Sequence, residues 1–256
     1  MRIIFVRHGD PDYEHDTLTE KGHREAALLG KLAPELHLGD CYMSPLGRAQ
    51  HTAEYCLKVT GKNALVKDWL QEFPATVDIN DSPELQETYP DTKKKGGRYV
   101  LRIPWDMVPA YLSSHPEYMS RDGWRNSEVA RCSDTVRVFD ALAGKLDALL
   151  AEYGYVREGD HYRVEKECRE TVTFFCHFGV TCAMLAHLWN VSPFILWHSL
   201  ALLPTSFTEV VTEERQKGIA YFRSLHVGDT SHLRMGGEEP SFACRFCEVY
   251  SDESRH

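Results

Sequence analysis

The segment RIIFVRHG, residues 2–9, decides the fold class of this 256-residue chain. Its apolar part, Ile3 to Val6, is short, β-branched and aromatic, and this pattern predicts a buried strand. A second apolar segment, TVTFFCH at residues 171–177, also ends in a histidine. Strand and helix patterns alternate along much of the chain. This alternation predicts an α/β fold, a three-layer α/β/α sandwich with a mostly parallel sheet.

The helices can be placed from their capping residues and apolar spacing. Thr19 is the predicted N-cap of a helix with apolar positions that continue to Leu36. Ser44 and Pro45 predict a second helix start, with Ser44 as N-cap and Pro45 as first helical residue. Apolar residues spaced by three and four predict a long helix over 129–153, and a further helix is expected over 180–188.

The remaining pattern predicts short strands at 41–43 and 64–66 and an antiparallel pair at 207–212 and 219–225. Six prolines interrupt any regular period between Pro74 and Asn126. We therefore expect a single domain over 1–256, with an inserted cap segment at about 74–126 and a C-terminal tail from about 228.

The composition limits the kind of protein. Hydrophobic residues make up 43 % and charged residues 26 % of the chain, which is ordinary for a soluble globular protein. The net charge of −9 argues against a nucleic-acid partner. Neither a signal peptide nor an apolar stretch of about 18–20 residues is evident, so we expect a cytoplasmic protein without a membrane partner.

The eight cysteines are scattered, and reduced thiols are therefore expected. Cys244 and Cys247 form the only close pair, which by itself is weak evidence for zinc. We therefore predict no metal and no cofactor. A structural zinc site made by Cys244, Cys247, His226 and His232 stays open as an alternative.

Two histidines and two arginines point to phosphate chemistry. His8 and His177 each end a predicted buried strand, and the carboxyl ends of parallel strands meet at one crevice. Arg7 adjoins His8, and Arg48 lies near the start of the helix predicted after Ser44. Guanidinium groups and helix N-termini bind phosphate oxygens, whereas neighbouring cations would repel a metal ion.

Each residue alone has a simpler structural interpretation. A histidine at a strand end is commonly a hydrogen-bonded structural residue. Arg48 alone could be a surface charge on a helix, and Glu72 alone is a carboxylate that follows an apolar pair. The functional interpretation depends on these residues meeting at the same edge of one sheet.

Five ordered motifs resemble the histidine phosphatase superfamily, in its phosphoglycerate mutase-like branch. They are RHG at 7–9, LTEKG at 18–22, SPLGRAQHTA at 44–53, LQE at 70–72, and a late strand that ends at His177. The resemblance covers residues 2–73 and 129–190. It implies a phosphoglycerate mutase-like fold and an enzyme that moves phosphoryl groups through a phosphohistidine.

The resemblance also implies a role for each matched residue. His8 would be the nucleophile, and Arg7, Arg48 and His177 would bind the phosphoryl oxygens. Glu72 would be the general acid and then the general base. The substrate would be a small phosphorylated molecule, and the activity that of a histidine acid phosphatase-type phosphomonoesterase.

Two positions depart from the family pattern. Glu14 stands where mutases typically have Asn, and a carboxylate there would repel a second anionic group, so we favour hydrolysis over mutase activity. Phe178 replaces the Gly that follows the second histidine in many members, and it is a candidate substrate-binding residue. A phospho-ligand-binding protein without turnover is a further alternative.

Substrate choice is expected to depend on the inserted segment. The run from Thr92 to Arg102 has five basic residues and no acidic one. It is either a solvated loop or a lid that holds a second anionic group. The pattern does not distinguish a monomer from a homo-oligomer.

Overall fold

The computed structural model describes residues 1–243, 249 and 251. Cys244 and Cys247 lie outside the described residues. The strands are β1 (Arg2–Arg7), β2 (Pro11–Asp12), β3 (Thr17–Leu18), β4 (Asp40–Met43), β5 (Ala64–Val66), β6 (Lys94–Lys95), β7 (Arg98–Tyr99), β8 (Tyr155–Glu158), β9 (His161–Val164), β10 (Thr171–Cys176), β11 (Phe207–Gln216) and β12 (Ile219–Asp229). The α-helices are α1 (Glu20–Leu36), α2 (Gly47–Thr60), α3 (Pro83–Thr88), α4 (Pro109–Ser114), α5 (Glu128–Arg131), α6 (Thr135–Glu152), α7 (Phe178–Trp189), α8 (Pro193–Ser199) and α9 (Ser231–Met235).

The chain divides into two compact units. The first consists of Met1–Glu72, Lys166–Thr181 and the segment from Ala201 onwards. The second consists of Phe73–Glu165 and Cys182–Leu200. The segment at 74–126 that the sequence analysis interprets as a cap lies in the second unit.

The sheet of the first unit has the strand order β5-β4-β10-β1-β11-β12. The pairs β5–β4, β4–β10 and β10–β1 are parallel, whereas β1–β11 and β11–β12 are antiparallel. The prediction of an α/β fold with a mostly parallel sheet is therefore confirmed, as is the antiparallel pair late in the chain. The side chains of Ile3 to Val6 are almost completely buried, which explains why β1 is apolar on both faces.

Helix α1 follows the predicted pattern. The Thr19 Oγ1 atom accepts a hydrogen bond from the Gly22 N–H at 3.0 Å, so Thr19 is the N-cap. Ala26, Leu29 and Ala33 form a buried stripe that belongs to the core of the first unit.

The long helix predicted over 129–153 is interrupted. The structure has the short helix α5, then a break, and α6 begins only at Thr135. At the break, the Ser133 Oγ atom accepts the Thr135 N–H and donates to the Val129 carbonyl. Serine competes for backbone groups in this way, and apolar spacing does not reveal it.

The second unit has an aromatic core. Ring centroids lie 4.9 Å apart for Tyr118 and Phe194, 5.3 Å for Trp124 and Phe139, and 5.1 Å for Phe194 and Trp197. Their mostly tilted and edge-to-face contacts are the arrangements that aromatic pairs prefer. Within residues 1–243, 249 and 251, no helix has the length and apolarity that crossing a bilayer would require.

Candidate active site

The two histidines are brought together by the register of β1 and β10. Arg7 lies opposite Cys176 in this parallel pair, so the next residues, His8 and His177, emerge side by side. The His8 N–H donates to the Cys176 carbonyl at 3.1 Å, and the two ring centroids are 5.0 Å apart. Only 2 % of His8 and none of His177 is exposed. The imidazoles therefore share a site at the carboxyl end of the sheet.

The loop after His8 is held by close backbone packing. A Cβ atom on Gly9 would lie 2.8 Å from the Gly22 carbonyl oxygen, and one on Gly22 would lie 2.3 Å from the Asp10 carbonyl oxygen. Both motif glycines are thus required by the same close approach. The Gly9 N–H donates to the Thr52 Oγ1 atom at 2.9 Å, which connects the loop to α2.

Arg7 is buried and held by backbone carbonyls. Its Nη1 atom donates to the Leu202 carbonyl at 2.5 Å and contacts the Ala243 carbonyl at 3.5 Å. Carbonyl oxygens orient a guanidinium but carry no full negative charge. The positive charge of Arg7 acts on His8 and lowers the pKa of that histidine.

Arg48 is held by a carboxylate that the sequence analysis did not identify. Its Nη1 atom donates to the Asp16 Oδ1 atom at 2.7 Å, and the Asp16 Oδ2 atom accepts the Gly47 N–H at 2.7 Å. The guanidinium also lies 5.3 Å from the centre of the Tyr13 ring. The loop between β2 and β3 thus fixes Arg48 at the start of α2.

Ser44 is not the N-cap of α2, so that prediction is wrong. The helix begins at Gly47, and Leu46 precedes it without a side-chain cap. The Ser44 Oγ atom instead lies 2.7 Å from the His177 Nε2 atom and accepts the Leu46 N–H at 3.2 Å. The Ser44 hydroxyl is used to orient the second histidine, which apolar spacing cannot show.

Glu72 reaches the site through α7. Its Oε1 atom accepts the Val180 N–H at 3.1 Å, in the first turn of the helix that follows His177. Free N–H groups at a helix N-terminus favour a carboxylate there. Glu72 is therefore close to His177, although 105 positions separate them in the sequence.

Both histidines are kept neutral. Burial lowers the pKa of His8 well below its ordinary value, and the charges of Arg7 and Arg48 lower it further. Burial, His8 and the same two arginines lower the pKa of His177 in the same direction. The Nδ1 atom of His177 is buried and has no hydrogen-bond partner among the described residues. This nitrogen is available to form a hydrogen bond with an oxygen atom of a ligand.

The remaining residues singled out in the sequence are Phe178, Glu14 and the basic run from Thr92 to Arg102. Phe178 is buried as the first residue of α7, whereas Glu14 is exposed in the loop before β3. Lys94 lies over the Tyr99 ring at 4.3 Å, and Arg102 pairs with Asp106 at 2.9 Å. The basic run thus has partners of its own in the second unit.

Sequence reasoning missed three supporting residues. Thr52 lies within the quoted motif SPLGRAQHTA, so its signal was available but had no role assigned. Ser44 lies within the same motif but was assigned the role of an N-cap. Asp16 has no such signal, because its partner is set by a tertiary contact. Within the described part of the chain, no group of three His, Cys, Asp or Glu side chains is arranged to hold a metal ion.

A buried carboxyl group lies beneath the His8 loop. Glu25 is fully buried in α1 and accepts the N–H groups of Asp10 and Ser241, each at 2.9 Å. Burial raises the pKa of Glu25 to about 7, although the two N–H groups act in the opposite direction. This carboxyl connects the loop that carries His8 to the segment near Ser241.

Glu25 should make stability depend on pH. Because the pKa of Glu25 is higher in the folded state, its carboxyl stabilises the folded state fully at pH values below its ordinary pKa of 4.5. This contribution is lost as the pH rises through about 7. The loss corresponds to about 3 kcal/mol in the free energy of unfolding. We expect the difference between wild type and Glu25→Gln to change by this amount in urea unfolding between pH 4.5 and 8.

The exposed Glu20, on the same helix, supplies the control. Glu20→Gln should leave the pH dependence of unfolding as it is in the wild type. If the free energies of unfolding of wild type and Glu25→Gln differ by the same amount at every pH, the raised pKa of Glu25 is contradicted.

Comparison with known proteins agrees with this geometry. The family model described as the histidine phosphatase superfamily (branch 1) matches residues 3–99, which include Arg7, His8, Arg48 and Glu72. No curated protein sequence matches the chain.

Three solved structures illustrate the likeness in fold. A phosphoserine phosphatase from Entamoeba histolytica, in complex with 3-phosphoglyceric acid, has a TM-score of 0.55 and 15 % identity, over 91 % of this chain and 98 % of that one. A mycobacterial glucosyl-3-phosphoglycerate phosphatase with inorganic phosphate has a TM-score of 0.54 and 17 % identity, over 90 % and 98 %. An alpha-ribazole phosphatase from Shigella flexneri has a TM-score of 0.51 and 18 % identity, over 89 % and 97 %.

At these identities the structural likeness concerns the fold, whereas the family match concerns sequence. The predicted resemblance is therefore confirmed: residues 3–99 carry the sequence pattern of the histidine phosphatase superfamily (branch 1), and the described chain has the phosphoglycerate mutase-like α/β fold of its phosphatase neighbours.

Proposed function

We propose that this chain is a phosphomonoester hydrolase that acts through a phosphohistidine on His8. One contact carries the proposal. The Nδ1 atom of His8 lies 2.7 Å from the Gly9 carbonyl oxygen, which can only accept a hydrogen bond. In a neutral ring the proton must then be on Nδ1. The Nε2 atom keeps its lone pair, as a nucleophile requires.

The surrounding charges suit a phosphoryl group. Arg7 and Arg48 offer guanidinium donors, and the unpartnered Nδ1 atom of His177 offers a third group for an equatorial oxygen. Ser44 orients His177 through one hydrogen bond, and Asp16 orients Arg48 through another. Positioned donors of this kind supply most of what phosphoryl transfer needs.

The reaction would proceed in two steps. In the first, the bond from phosphorus to the leaving oxygen breaks as the His8 Nε2 atom bonds to phosphorus, and protonated Glu72 donates its proton to that oxygen. In the second, the Glu72 carboxylate accepts a proton from water as the water oxygen bonds to phosphorus and the bond from phosphorus to the His8 Nε2 atom breaks. Inorganic phosphate leaves, and His8 and protonated Glu72 are regenerated.

Hydrolysis is preferred over mutase chemistry for two reasons. Glu14 places an exposed carboxylate in the loop between β2 and β3, where it would repel a second phosphate or carboxylate of a substrate. The three structural neighbours named above are also described as phosphatases. A small phosphomonoester with one anionic group is therefore the expected substrate.

A substrate panel tests this function directly. We expect the purified full chain to release inorganic phosphate from some of a set of sugar phosphates, nucleotides, phosphoglycerates, phytate and phosphoamino acids. Activation by 2,3-bisphosphoglycerate, with interconversion of phosphoglycerates, would instead indicate a mutase. Phosphate binding by calorimetry with no release from any compound would indicate a binding protein without turnover.

Ser44 should affect turnover through His177. Ser44→Ala removes the hydroxyl that holds His177 Nε2, and we expect kcat/KM to fall roughly 10-fold, the value of one hydrogen bond. Steady-state kinetics on the best substrate of the panel measures this.

Thr60→Ala is the matched control, because it removes a hydroxyl that bonds the Cys56 carbonyl at the far end of α2. It should leave kcat/KM unchanged. Equal losses in both variants would mean that Ser44 acts only through the stability of the fold.

A further inference from the structure

The peptide group between Gly9 and Asp10 is hydrogen-bonded at both of its ends. Its carbonyl oxygen accepts the Nδ1–H of His8 at 2.7 Å, and its N–H donates to the Glu25 Oε2 atom at 2.9 Å. One chain of hydrogen bonds therefore runs from the imidazole of His8 to the carboxyl of Glu25. A single peptide unit separates its two ends, and it uses the ring nitrogen that does not attack phosphorus.

A carboxylate on the N–H of a peptide changes the carbonyl of the same peptide. Resonance makes the peptide C–N bond partly double, so electron density is shared between the N–H and the C=O groups. A negative charge beside the N–H increases the negative charge on the carbonyl oxygen, because linked hydrogen bonds polarise one another. The Gly9 carbonyl then holds the Nδ1–H of His8 more firmly, and the Nε2 atom gains electron density. Histidines that bind metals gain basicity from a hydrogen-bonded partner in the same way.

Glu25 also fixes the position of this peptide. Its side chain is fully buried, and its second oxygen, Oε1, accepts the Ser241 N–H at 2.9 Å. The Asp10 carboxylate accepts the hydroxyl of Thr19 at 2.6 Å and that of Ser241, and the Asp10 carbonyl accepts the Thr19 N–H at 3.0 Å. A rotation of the peptide would break several of these bonds at once, so the carbonyl that accepts the imidazole proton stays in place.

Only the ionised form of Glu25 serves both N–H groups equally. A carboxylate accepts with both oxygens, whereas a protonated carboxyl uses one of them as a donor. Burial is the largest influence and raises the pKa of Glu25, and the charge of Asp10 acts in the same direction. The two N–H groups and Lys21 lower it, and the resulting pKa is about 7. Lys21 and Arg24 both pair with Glu238, at 2.7 Å and 2.9 Å. The carboxylate therefore predominates only above about pH 7.

We propose that Glu25 is a positioning residue for the nucleophile, and that its carboxylate acts through the Gly9–Asp10 peptide to keep the proton of His8 on Nδ1 and to raise the electron density on Nε2. The benefit to catalysis rests on the proposed function, whereas the coupling between Glu25 and His8 does not. Since Glu25 acts through the peptide, its loss should slow phosphorylation and leave the affinity for inorganic phosphate unchanged.

Nuclear magnetic resonance on the ¹⁵N-labelled full chain tests the coupling without a substrate. The Nδ1–H signal of His8, identified by its absence from His8→Ala, and the N–H signal of Asp10 should move together between pH 6 and 8.5, with a common midpoint at about 7. Burial and neighbouring positive charges keep the pKa values of His8 and His177 well below their ordinary value, so neither ring accounts for this midpoint.

In Glu25→Gln both signals should stay constant over the same range, because the amide does not ionise. A wild type in which neither signal moves would overturn the proposal, and this result needs no variant. A Glu25→Gln variant in which both signals still move would overturn it as well.

The rate of phosphorylation tests the consequence for catalysis. Above pH 8, Glu25→Gln should slow the burst of nitrophenolate from nitrophenyl phosphate roughly 10-fold, the usual effect of losing one orienting partner. The dissociation constant for inorganic phosphate, measured by calorimetry, should equal that of the wild type. A burst at the wild-type rate would contradict the proposed role of Glu25.

Asp147→Asn is the matched control. It removes from α6, in the second unit, a carboxylate that accepts the Tyr162 hydroxyl at 2.7 Å and lies 2.9 Å from the His187 Nε2 atom. It should change neither the burst nor the His8 signal, and equal losses in both variants would overturn the proposal. A wild type without any phosphohistidine would instead remove the proposed function, and the resonance titration would still decide whether Glu25 is coupled to His8.

Discussion

His8→Ala should abolish the covalent phosphoenzyme and lower turnover by about 10⁶-fold, on the scale seen when the nucleophile of another hydrolase is removed. Alanine has no lone pair to form the bond to phosphorus, while Arg7 and Arg48, which we propose bind the phosphoryl group, stay in place. The enzyme is mixed with radiolabelled substrate, quenched in alkali, and assayed for protein-bound phosphate that is stable to alkali and labile to acid. The wild type should carry this label, and the variant should carry none.

Controls separate the nucleophile from a general loss of structure. His23→Ala removes a histidine of α1 that contacts Tyr55, and it should leave the label unchanged. His177→Ala removes a proposed oxygen-binding group and leaves the proposed nucleophile in place, so labelling should become slower without disappearing. Acid-labile phosphate on the His8→Ala variant would show that another residue is the nucleophile.

Glu72→Gln should slow the phosphorylation step by ~10²–10⁴-fold for substrates with poor leaving groups. The amide can occupy the same place beside the Val180 N–H, but it cannot donate a proton to the leaving oxygen. A nitrophenolate needs no proton to leave. The burst of nitrophenolate release should therefore stay close to the wild-type rate, as measured by rapid mixing.

The leaving-group dependence is the critical result of that experiment. Glu54→Gln alters an exposed carboxylate on α2 and should change neither rate. Equal losses for alkyl and nitrophenyl phosphates in the Glu72→Gln variant would mean that Glu72 is not the general acid. Its contact with α7 would then have a structural role only.

Much of the first unit could be predicted from the sequence. The apolar runs that become β1 and β10 specify buried strands, and buried strands in an α/β chain pair in parallel. Once they pair, His8 and His177 must emerge at the same edge. The N-cap at Thr19 was also predictable, because a cap uses atoms only three positions apart.

The long helix around 129–153 and the start of α2 were placed less well. In both cases a serine hydroxyl was needed elsewhere: Ser133 bonds the backbone at the break before α6, and Ser44 bonds His177. The spacing of apolar residues shows which face of a helix is buried. It does not show which partner a serine hydroxyl binds, and in these two cases that hydrogen bond affects where the helix begins.

The segment RIIFVRHG thus determined by itself a buried strand with an arginine and a histidine at its carboxyl end. The sequence also supplies glycine at positions 9 and 22, where the two backbone segments approach so closely that a Cβ atom would clash. Only the tertiary structure decided that Asp16 holds Arg48 and that Glu72 meets the first turn of α7. A strand follows from local hydrophobicity, whereas a hydrogen bond between distant residues exists only after the chain has folded.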